Sequence, residues 1–404
     1  MRFSADSRYL ALLLAALAAL GPFSIDTYLP SFPEIALDLR ATPLEVQQTL
    51  TAYLLPFAIM SLWHGALADA LGRRRIVLAA LGLFALASLG CALATQIETL
   101  WLFRAAQGVT SGAGLVVGRA IVRDLFDGPP AQRLMSKVTM TFALAPALAP
   151  VIGGWLHSWF GWRSVFVFLA VMTGALWLAC RFWLPETLPP ERRQSLQPGY
   201  LLRSYRQVLS APAFMLLTIA VSANFAGFFV YVLSAPQFLL THLQVSERAF
   251  LWLFGPAMLG MMLGSWISGR VAGRLTPLAT IGYGYVVMTT AAVLNLAISY
   301  SLPAGLPWSV LPIFVYVIGM ALAMPSITLL TLDPYPHQRG LAASCQTFIQ
   351  SAGNGLVAAV FAPLLWASTA HLALGMAGFL ILGAGAIAAY HQLTPTAGNG
   401  SPAP

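Results

Sequence analysis

The sequence places one carboxylate well inside an apolar stretch, Asp26 in the segment PFSIDTYLP (22–30). An ionised carboxylate in hydrocarbon is costly, so Asp26 must face protein or water and is a candidate for function. A carboxyl group held away from water keeps a proton more readily, which suits a proton carrier. The flanking Pro22 and Pro30 remove backbone donors and can free carbonyl groups towards a cavity. The alternative is that the helix ends near Ile25 and leaves Asp26 in water.

The corresponding cation is Arg104, in the segment LFRAAQG (102–108) of the fourth apolar stretch. If the first span ends near Pro30 and the fourth begins near Leu100, both charges lie at the same depth, roughly 6 Å below the helix ends. Equal depth would allow Arg104 to act electrostatically on Asp26. The alternative is an arginine whose side chain reaches the membrane surface and anchors the end of its helix.

A third charged group interrupts the apolar sequence in the segment GALADALGRRR (65–75). Apolar runs flank it on both sides, which predicts a tight loop between two spanning helices, with Gly72 permitting the reversal. Asp69 would lie in the last turn of a helix, where the macrodipole disfavours an acid, so we expect a specific cationic partner. The arginines alone would serve equally well as a topology anchor.

The composition that surrounds these groups is that of a membrane protein. The 404 residues are 58% hydrophobic and 8% charged, whereas a soluble domain carries about 25% charged residues. Apolar stretches of spanning length predict an all-α membrane protein of twelve transmembrane helices. They lie near 9–30, 47–68, 76–95, 99–121, 138–159, 163–184, 212–237, 249–269, 277–299, 307–330, 342–366 and 370–391.

A polar interval divides these spans into two sets of six. The sequence therefore predicts an N-terminal six-helix bundle (1–184), a cytoplasmic linker (185–211), a C-terminal six-helix bundle (212–393) and a disordered tail (394–404). The segment GSWISGRVAGR (264–274) repeats the glycines and arginines of the 65–75 loop in the second half. Such parallel repeats are typical of transporters with a substrate site between two pseudo-symmetric halves.

Orientation follows from lysine and arginine, which collect in short cytoplasmic loops. With a cytoplasmic N-terminus, 17 of the 21 basic residues lie on that side. Only Arg40, Arg163 and Arg248 lie on the other side, and Arg104 lies within a span. We therefore predict that both termini face the cytoplasm.

A second group of candidates would line a cavity for bulky amphipathic molecules. Carboxamides recur every four residues in the eleventh span, and aromatic side chains accompany a carboxamide in the seventh. Polar stripes of this kind either glue helices together or face a cavity, and both alternatives stay open. The candidates are Tyr28, Tyr53, Phe57, Asn224, Phe225, Phe228, Tyr231, Gln346, Gln350 and Asn354.

Several classes of function are disfavoured. The net charge of +8 is spread over short loops rather than gathered in a patch, which argues against nucleic-acid binding. The sequence contains no G-x-x-x-x-G-K-[ST] loop for ATP, no H-E-x-x-H pattern and no G-x-S-x-G elbow. The three cysteines have no pairing or metal spacing. We expect no catalytic site, metal or cofactor.

Several of these segments resemble the signatures of one family, the major facilitator superfamily. The 65–75 segment resembles the family's loop signature G-x-L-x-D-x-x-G-R-R-R, and Arg104-Ala-Ala-Gln-Gly resembles its fourth-helix signature. The segment PALAPVIGG (146–154) is similar to the antiporter signature G-P-x-x-G-G, with Ala149 in place of the first glycine. DTYLP (26–30), GRAIVRDL (118–125) and LPET (184–187) resemble drug:proton antiporters of the bicyclomycin and chloramphenicol resistance type.

The resemblance implies the family's fold of two six-helix bundles and a role for Arg104 in tuning the protonation of a nearby carboxylate. It implies conformational switching through the loop and the fifth helix, and we expect Asp124 to pair with Arg73 as a latch. The residues assigned to switching are Gly65, Asp69, Gly72, Arg73, Asp124, Pro150, Gly153 and Gly154.

The resulting prediction is a monomeric multidrug exporter of the bacterial inner membrane that exchanges small amphipathic compounds for protons by alternating access. Asp26 would carry the proton. One alternative is a carrier of the same fold for an endogenous sugar or metabolite. Another is a membrane receptor or enzyme that transports nothing.

Overall fold

The computed structural model of the chain describes residues 8–125, 138, 144–193, 198–246, 249–271, 274–335 and 339–393. All elements of regular structure in these ranges are helices. The predicted tail, 394–404, and the first residues of the predicted fifth span lie outside the described residues.

In the described part of the first half, seven helices of at least seven residues occur. They are α1 (Arg8–Asp26), α2 (Phe32–Asp38), α3 (Pro43–Leu71), α4 (Arg73–Ala92), α5 (Ile97–Leu125), α6 (Ala145–Phe160) and α7 (Arg163–Trp183).

A short helix, α8 (Pro198–Leu209), lies between the halves. The second half contains α9 (Pro212–Leu233), α10 (Leu251–Val271), α11 (Pro277–Ser301), α12 (Leu311–Leu332), α13 (Arg339–Leu356) and α14 (Thr369–Leu393). Two π-helical segments, Pro236–His242 and Val357–Phe361, extend α9 and α13.

Local sequence explains where α3 begins and ends. Thr42 and Glu45 form a capping box in which each side chain accepts from the other residue's backbone N–H, and Pro43 occupies the first turn. Gly72 separates α3 from α4 with a φ of 103°, a conformation that glycine adopts without strain. Gly161 separates α6 from α7 in the same way, with a φ of 76°.

Ten helical stretches of the described chain are long and apolar enough to cross a membrane. The helices α5 and α6 are not among these ten, but they occupy the places of the predicted fourth and fifth spans. The chain is therefore an all-helical, multi-pass membrane protein, as the sequence predicts.

The helices pack mainly within their own half. In the first half α3 packs along α5, α4 packs along α7, and α1 contacts α5 and α6. In the second half α9 packs against α14, and α12 packs against α10 and α11. The halves meet chiefly where α3 packs on α13 and where α6 packs on α10.

Charged side chains gather at the two ends of this bundle. We call the end that contains Arg73, Asp124 and Glu186 the basic end, and the end that contains α2 and the α6–α7 turn the opposite end. The linker contributes the amphipathic helix α8 at the basic end, where Val208 is fully buried. Tyr205 of α8 donates a hydrogen bond of 2.8 Å to the carbonyl of Leu62 in α3. Burial raises the pKa of Tyr205 to about 12, so its hydroxyl keeps this proton at physiological pH.

Candidate functional site

Asp26 is the last residue of α1 and is only 5% exposed. The helix thus ends close to Ile25, where the alternative placed its end. The alternative is nevertheless wrong about Asp26, because its side chain is buried rather than in water. The chain continues from α1 into a turn at Leu29–Ser31 and then into α2, and this turn is buried. These segments cover the end of α1, so the end of this helix does not lie at the surface of the protein.

Arg104 of α5 lies beside the same part of α1 and is fully buried. Its Nη1 donates to the carbonyl oxygen and to Oγ of Ser24, both at 3.1 Å, and to Oε1 of Gln107 at 2.7 Å. Gln107 in turn donates to Oγ of Ser88 in α4 at 2.7 Å. Arg104 lies seven residues inside α5, so the alternative of a side chain that reaches the membrane surface is wrong.

Aromatic rings enclose the guanidinium group. Its central carbon lies 4.5 Å from the ring centre of Tyr28 and 4.6 Å from that of Tyr53, with Phe166 of α7 at 6.0 Å. The Tyr28 hydroxyl is 2.6 Å from Oγ1 of Thr49. Cation–π contacts contribute about 2 kcal/mol or more when the pair is desolvated, so this cage stabilises a charge held away from water.

No ion pair joins Asp26 to Arg104 within the described residues. The two residues share a neighbourhood without touching, because Arg104 is bonded to Ser24, two positions before Asp26. Tyr53 lies within electrostatic range of both charges. Nε and Nη2 of Arg104 are buried and have no hydrogen-bond partner among the residues that the structure describes. Among the described residues, the site therefore contains N–H groups of Arg104 without a hydrogen-bond partner and an Asp26 carboxyl group without an ion pair.

Glycines allow the helices to approach closely around this site. A Cβ on Gly153 of α6 would overlap the carbonyl oxygen of Thr27, and a Cβ on Gly108 of α5 would overlap that of Tyr53. Pro150 and Gly154 are also buried in α6. Three of the predicted switching residues thus lie on a helix that packs directly beside Asp26.

The remaining switching residues lie in a separate network at the basic end. Nη1 of Arg73 is 2.5 Å from Oδ1 of Asp69, and its Nε is 3.1 Å from Oδ2 of Asp124. The structure thus provides the cationic partner expected for Asp69 and the expected contact between Arg73 and Asp124. A Cβ added at Gly65 would lie 3.7 Å from Val116, an ordinary van der Waals distance, so packing at that position does not exclude alanine.

Glu186 and Thr187 complete this network, and they were not among the predicted site residues. Oε1 of Glu186 accepts from the backbone N–H of Arg73 at 2.9 Å, and Thr187 donates to Oδ2 of Asp124 at 2.7 Å. Arg74 also donates to the carbonyl of Arg181 in α7. The LPET segment was visible in the sequence, but nothing in the sequence places it beside the 65–75 loop.

The sequence reasoning missed a second polar cluster, at the opposite end. Glu34 of α2 accepts from the backbone N–H of Trp162 at 2.9 Å and lies 2.8 Å from Nδ1 of His157. Asp38 accepts from Nε1 of Trp162 at 3.0 Å and from Arg163 at 2.5 Å. These contacts fasten α2 to the turn between α6 and α7. The signal in the sequence that could have indicated this cluster is the presence of charged residues near the ends of two predicted spans.

The predicted cavity residues of the second half divide into two groups. The side chain of Asn224 donates to the Tyr285 hydroxyl at 2.9 Å, and the backbone carbonyl of Asn224 accepts from Tyr316 at 3.0 Å. Tyr231 accepts from Asn295 at 2.7 Å. These partners lie on α11 and α12, so Asn224 and Tyr231 face their own half. These hydrogen bonds support the alternative of helix packing, while a place for Asn224 and Tyr231 in a cavity stays a prediction.

The other aromatic and carboxamide candidates keep their place as predictions. Phe57 stacks on Tyr53 with ring centres 6.2 Å apart, and Phe225 contacts Phe228 at 6.2 Å. The three carboxamides lie on α13, which packs against α3 of the other half. Nε2 of Gln346 and Oδ1 of Asn354 are buried without a partner, and Gln350 is half-buried. Such groups retain hydrogen-bonding capacity for a ligand.

These features define a class of protein, a multi-pass membrane protein with a buried ionisable site. In the part of the chain that the structure describes, no cluster of three metal-binding side chains occurs. A sequence profile described as Major Facilitator Superfamily matches residues 12–358. The chain belongs to the Major Facilitator Superfamily.

Curated relatives cover most of the chain. It is 38% identical to the "Uncharacterized MFS-type transporter YdgK" of Bacillus subtilis over 83% of this chain and 84% of that protein. It is 27% identical to "Multidrug resistance protein D" of Escherichia coli over 88% and 89%. It is 30% identical to a "Chloramphenicol resistance protein" of Pseudomonas aeruginosa over 89% and 85%. The resemblance to resistance proteins of this superfamily is confirmed.

A solved structure shows the same fold. The crystal structure of a D-xylose-proton symporter superposes with a TM-score of 0.73, over 94% of this chain and 96% of that one. The two sequences are 16% identical, so this likeness supports the fold alone.

Proposed function

We propose that this transporter exports small amphipathic compounds in exchange for protons by alternating access, with Asp26 as the proton carrier. The observation that carries the proposal is a buried carboxyl group that has no ion pair with any described residue, near a fully buried arginine. A carboxyl group in this setting can change between neutral and ionised forms without first breaking a salt bridge. A positive charge nearby favours the ionised form, so movement between α1 and α5 would alter proton affinity.

The similarity to proteins named for multidrug and chloramphenicol resistance supports amphipathic drugs as the substrate class. The aromatic surfaces of Tyr53 and Phe57 beside the site suit such molecules. Proton binding and drug binding must favour different arrangements of the two halves, since a ligand shifts an equilibrium only through differential affinity. The surplus of basic residues at one end supports a bacterial plasma-membrane orientation with both termini in the cytoplasm.

The test is drug-driven proton movement in proteoliposomes, comparing the wild type with Asp26→Asn. Asparagine keeps the shape of the side chain but cannot ionise, so we expect drug-driven proton flux to disappear while drug binding persists. Asp333→Asn is the matched control, since Asp333 is exposed at the end of α12. Normal proton exchange by Asp26→Asn would rule out Asp26 as the carrier.

The same liposomes identify the substrate class. Inhibition of flux by several unrelated amphipathic cations is the result expected of a drug exporter. Response to a single polar solute would instead indicate a metabolite carrier, and absence of any coupled flux would contradict transport by this mechanism.

A further inference from the structure

A chain of hydrogen bonds joins three helices of the first half near Asp26. Ser88 of α4 is bonded to Gln107 of α5, and Gln107 is bonded to Arg104 on the same helix. Arg104 is bonded in turn to Ser24 of α1. All four of these side chains are fully buried. We call this chain the arginine relay, and it connects α4 to the part of α1 that carries Asp26.

Each hydrogen bond between Ser88 and the guanidinium group has only one possible direction. The guanidinium group can only donate, so the atom of Gln107 that faces it at 2.7 Å must be the carbonyl oxygen, Oε1. The NH2 group of Gln107 then faces Oγ of Ser88 at 2.7 Å. The Ser88 hydroxyl donates its own proton to the carbonyl oxygen of Phe84 at 2.8 Å, so Oγ is left to accept from Gln107. Ser88 therefore determines which way the Gln107 amide is turned.

The Gln107 amide matters because it is one of few groups that hold the guanidinium by hydrogen bonds. Within the described residues these bonds are all made by Nη1, and the acceptors belong to Gln107 and Ser24. The rings of Tyr28 and Tyr53 lie against the group, but a ring contact depends little on rotation of the guanidinium in its own plane. Hydrogen bonds are directional. The bonds of Nη1 therefore fix the orientation of Arg104.

Loss of the Ser88 hydroxyl would disturb this arrangement in either of two ways. If the Gln107 amide keeps its orientation, its NH2 group becomes a buried donor without this acceptor, which is unfavourable. If the amide turns over, the NH2 group faces Nη1 of Arg104, and two donors meet. In both cases the bond between Gln107 and Arg104 is weakened from a position on another helix.

We propose that Ser88 is a positioning residue for proton-coupled exchange, which holds Arg104 beside α1 by orienting the Gln107 amide. The inference rests on the proposed role of Arg104 near Asp26. Among the described residues Ser88 makes no hydrogen bond to either charged group, so it acts through Gln107. The same helix begins at Arg73 of the basic-end network, 15 residues or about 22 Å before Ser88. A displacement of α4 would therefore reach Arg104 through this bond.

The first measurement follows the Arg104 guanidinium directly, by NMR of the full chain with isotope-labelled arginine in lipid nanodiscs. The Arg104 resonance is identified as the one that Arg104→Lys lacks. We expect the N–H hydrogens of Arg104 to exchange with water about tenfold faster in Ser88→Ala, because Nη1 loses a fixed acceptor. Ser61→Ala is the matched control, since Ser61 is equally buried and donates to the carbonyl of Ala58 in its own helix at 2.7 Å. Wild-type hydrogen exchange in Ser88→Ala would overturn the proposal.

The second measurement tests whether Ser88 acts through Gln107. Gln107→Leu removes the amide, so Ser88→Ala should have no further effect on the hydrogen exchange of Arg104 in that background. The double variant should then match Gln107→Leu alone. Effects of the two substitutions that simply add would show that Ser88 acts through the general packing of α4, and they would also overturn the proposal.

The consequence for transport is measured as the rate of substrate exchange against external pH in proteoliposomes. Ser88→Ala should slow substrate exchange about two- to tenfold. It should also move the pH of half-maximal exchange in the same direction as Arg104→Gln does, while Ser61→Ala keeps the wild-type profile. A wild-type profile for Ser88→Ala beside a shifted one for Arg104→Gln would exclude a role of Ser88 in the reaction.

Failure of the proposed function is distinguishable from failure of this inference. If Arg104→Gln itself keeps the wild-type pH profile, the electrostatic role of Arg104 is wrong. The hydrogen exchange of Arg104 needs neither a substrate nor a pH gradient, so it still decides whether Ser88 positions the guanidinium group.

Discussion

At the scale of single residues, the two buried charges are arranged differently from an ordinary ion pair. Arg104 has hydrogen bonds to Ser24 and Gln107 and lies among aromatic rings, whereas Asp26 has no ion partner in the described part of the chain. A buried salt bridge would hold both groups in their charged forms. Separate environments allow the arginine to stay charged while the carboxyl group changes its protonation.

The first prediction concerns the geometry of Arg104. Arg104→Lys keeps the charge but loses the planar group that reaches Ser24 and Gln107 together. Loss of hydrogen bonds to a charged group costs about 1.5–3 kcal/mol, so we expect exchange to fall by roughly 10- to 150-fold. The measurement is the rate of exchange against external pH in proteoliposomes.

Arg104→Gln serves as the comparison, since it removes the charge as well. If the charge tunes Asp26, the pH of half-maximal exchange should move in Arg104→Gln and stay nearer to the wild-type value in Arg104→Lys. Identical pH profiles in all three proteins would contradict an electrostatic role for Arg104.

At the scale of elements, the position of α6 depends on one small residue. Gly153 lies against the backbone of Thr27, directly after Asp26, and no side chain fits between them. Any shift of α6 relative to α1 must therefore disturb the backbone next to the Asp26 carboxyl group. This contact gives the glycine-rich segment 146–154 a physical connection to Asp26.

The second prediction is that Gly153→Ala displaces α6 from α1. Overpacking of this kind costs about 1–3 kcal/mol, so we expect a lower melting temperature and slower exchange. Gly174→Ala in α7 is the matched control, because a Cβ there meets nothing within 4 Å. Thermal unfolding in detergent and exchange in liposomes measure the two effects. Equal behaviour of the two variants would contradict the close contact.

The network at the basic end yields a third prediction. Arg73 pairs with Asp69 as well as Asp124, so exchanging charges at positions 73 and 124 alone leaves two acids adjacent, at 69 and 73. We expect Arg73→Asp and Asp124→Arg each to lose transport and the double variant to recover only part of it. Adding Asp69→Arg should recover more, because it restores opposite charges on both sides.

Drug export by cells producing each variant at matched protein levels provides the measurement. High salt should affect this network little, because the Arg73 side chain is only 9% exposed. Failure of both the double and the triple variant to exceed the single variants would exclude charge pairing as the basis of the latch.

At the scale of the whole molecule, the two halves contact each other along most of α3. Gln48 donates to the carbonyl of Ala359 in the π-helical segment near one end, at 3.1 Å, and Leu55 packs against Gly355 further along. Leu62, near the basic end, packs with Val208 of the linker helix and other buried residues. The linker helix is thus part of the contact between the halves rather than a passive tether.

The fourth prediction concerns orientation. We expect a cysteine at Gln207, exposed on α8, to react with a membrane-impermeant maleimide only after cells are permeabilised. A cysteine at Ala304, exposed at the opposite end, should react in intact cells. The native cysteines at 91, 180 and 345 are buried and can be replaced first. The reverse pattern of labelling would invert the proposed topology.

The class of the protein and the order of its helices follow from the sequence alone. Apolar runs of spanning length and scarce charges leave few alternatives, because a bilayer accepts only segments that satisfy their own backbone hydrogen bonds. The same scarcity made Asp26, Arg104, Asp69 and Arg73 visible as candidates. Their chemistry is unusual in any membrane helix, whatever the helix packs against.

Only the tertiary structure decided which of these groups meet. Arg104 and Ser24 are 80 residues apart in the chain, and Glu34 and Trp162 are 128 apart. Asn224 and Tyr231 carry polar groups that suit a cavity, yet they face α11 and α12. Helical periodicity indicates which side chains share a face, but the neighbour of that face depends on how all the helices pack together. A cavity at the opposite end of the bundle exists for the same reason, because its two walls come from different halves.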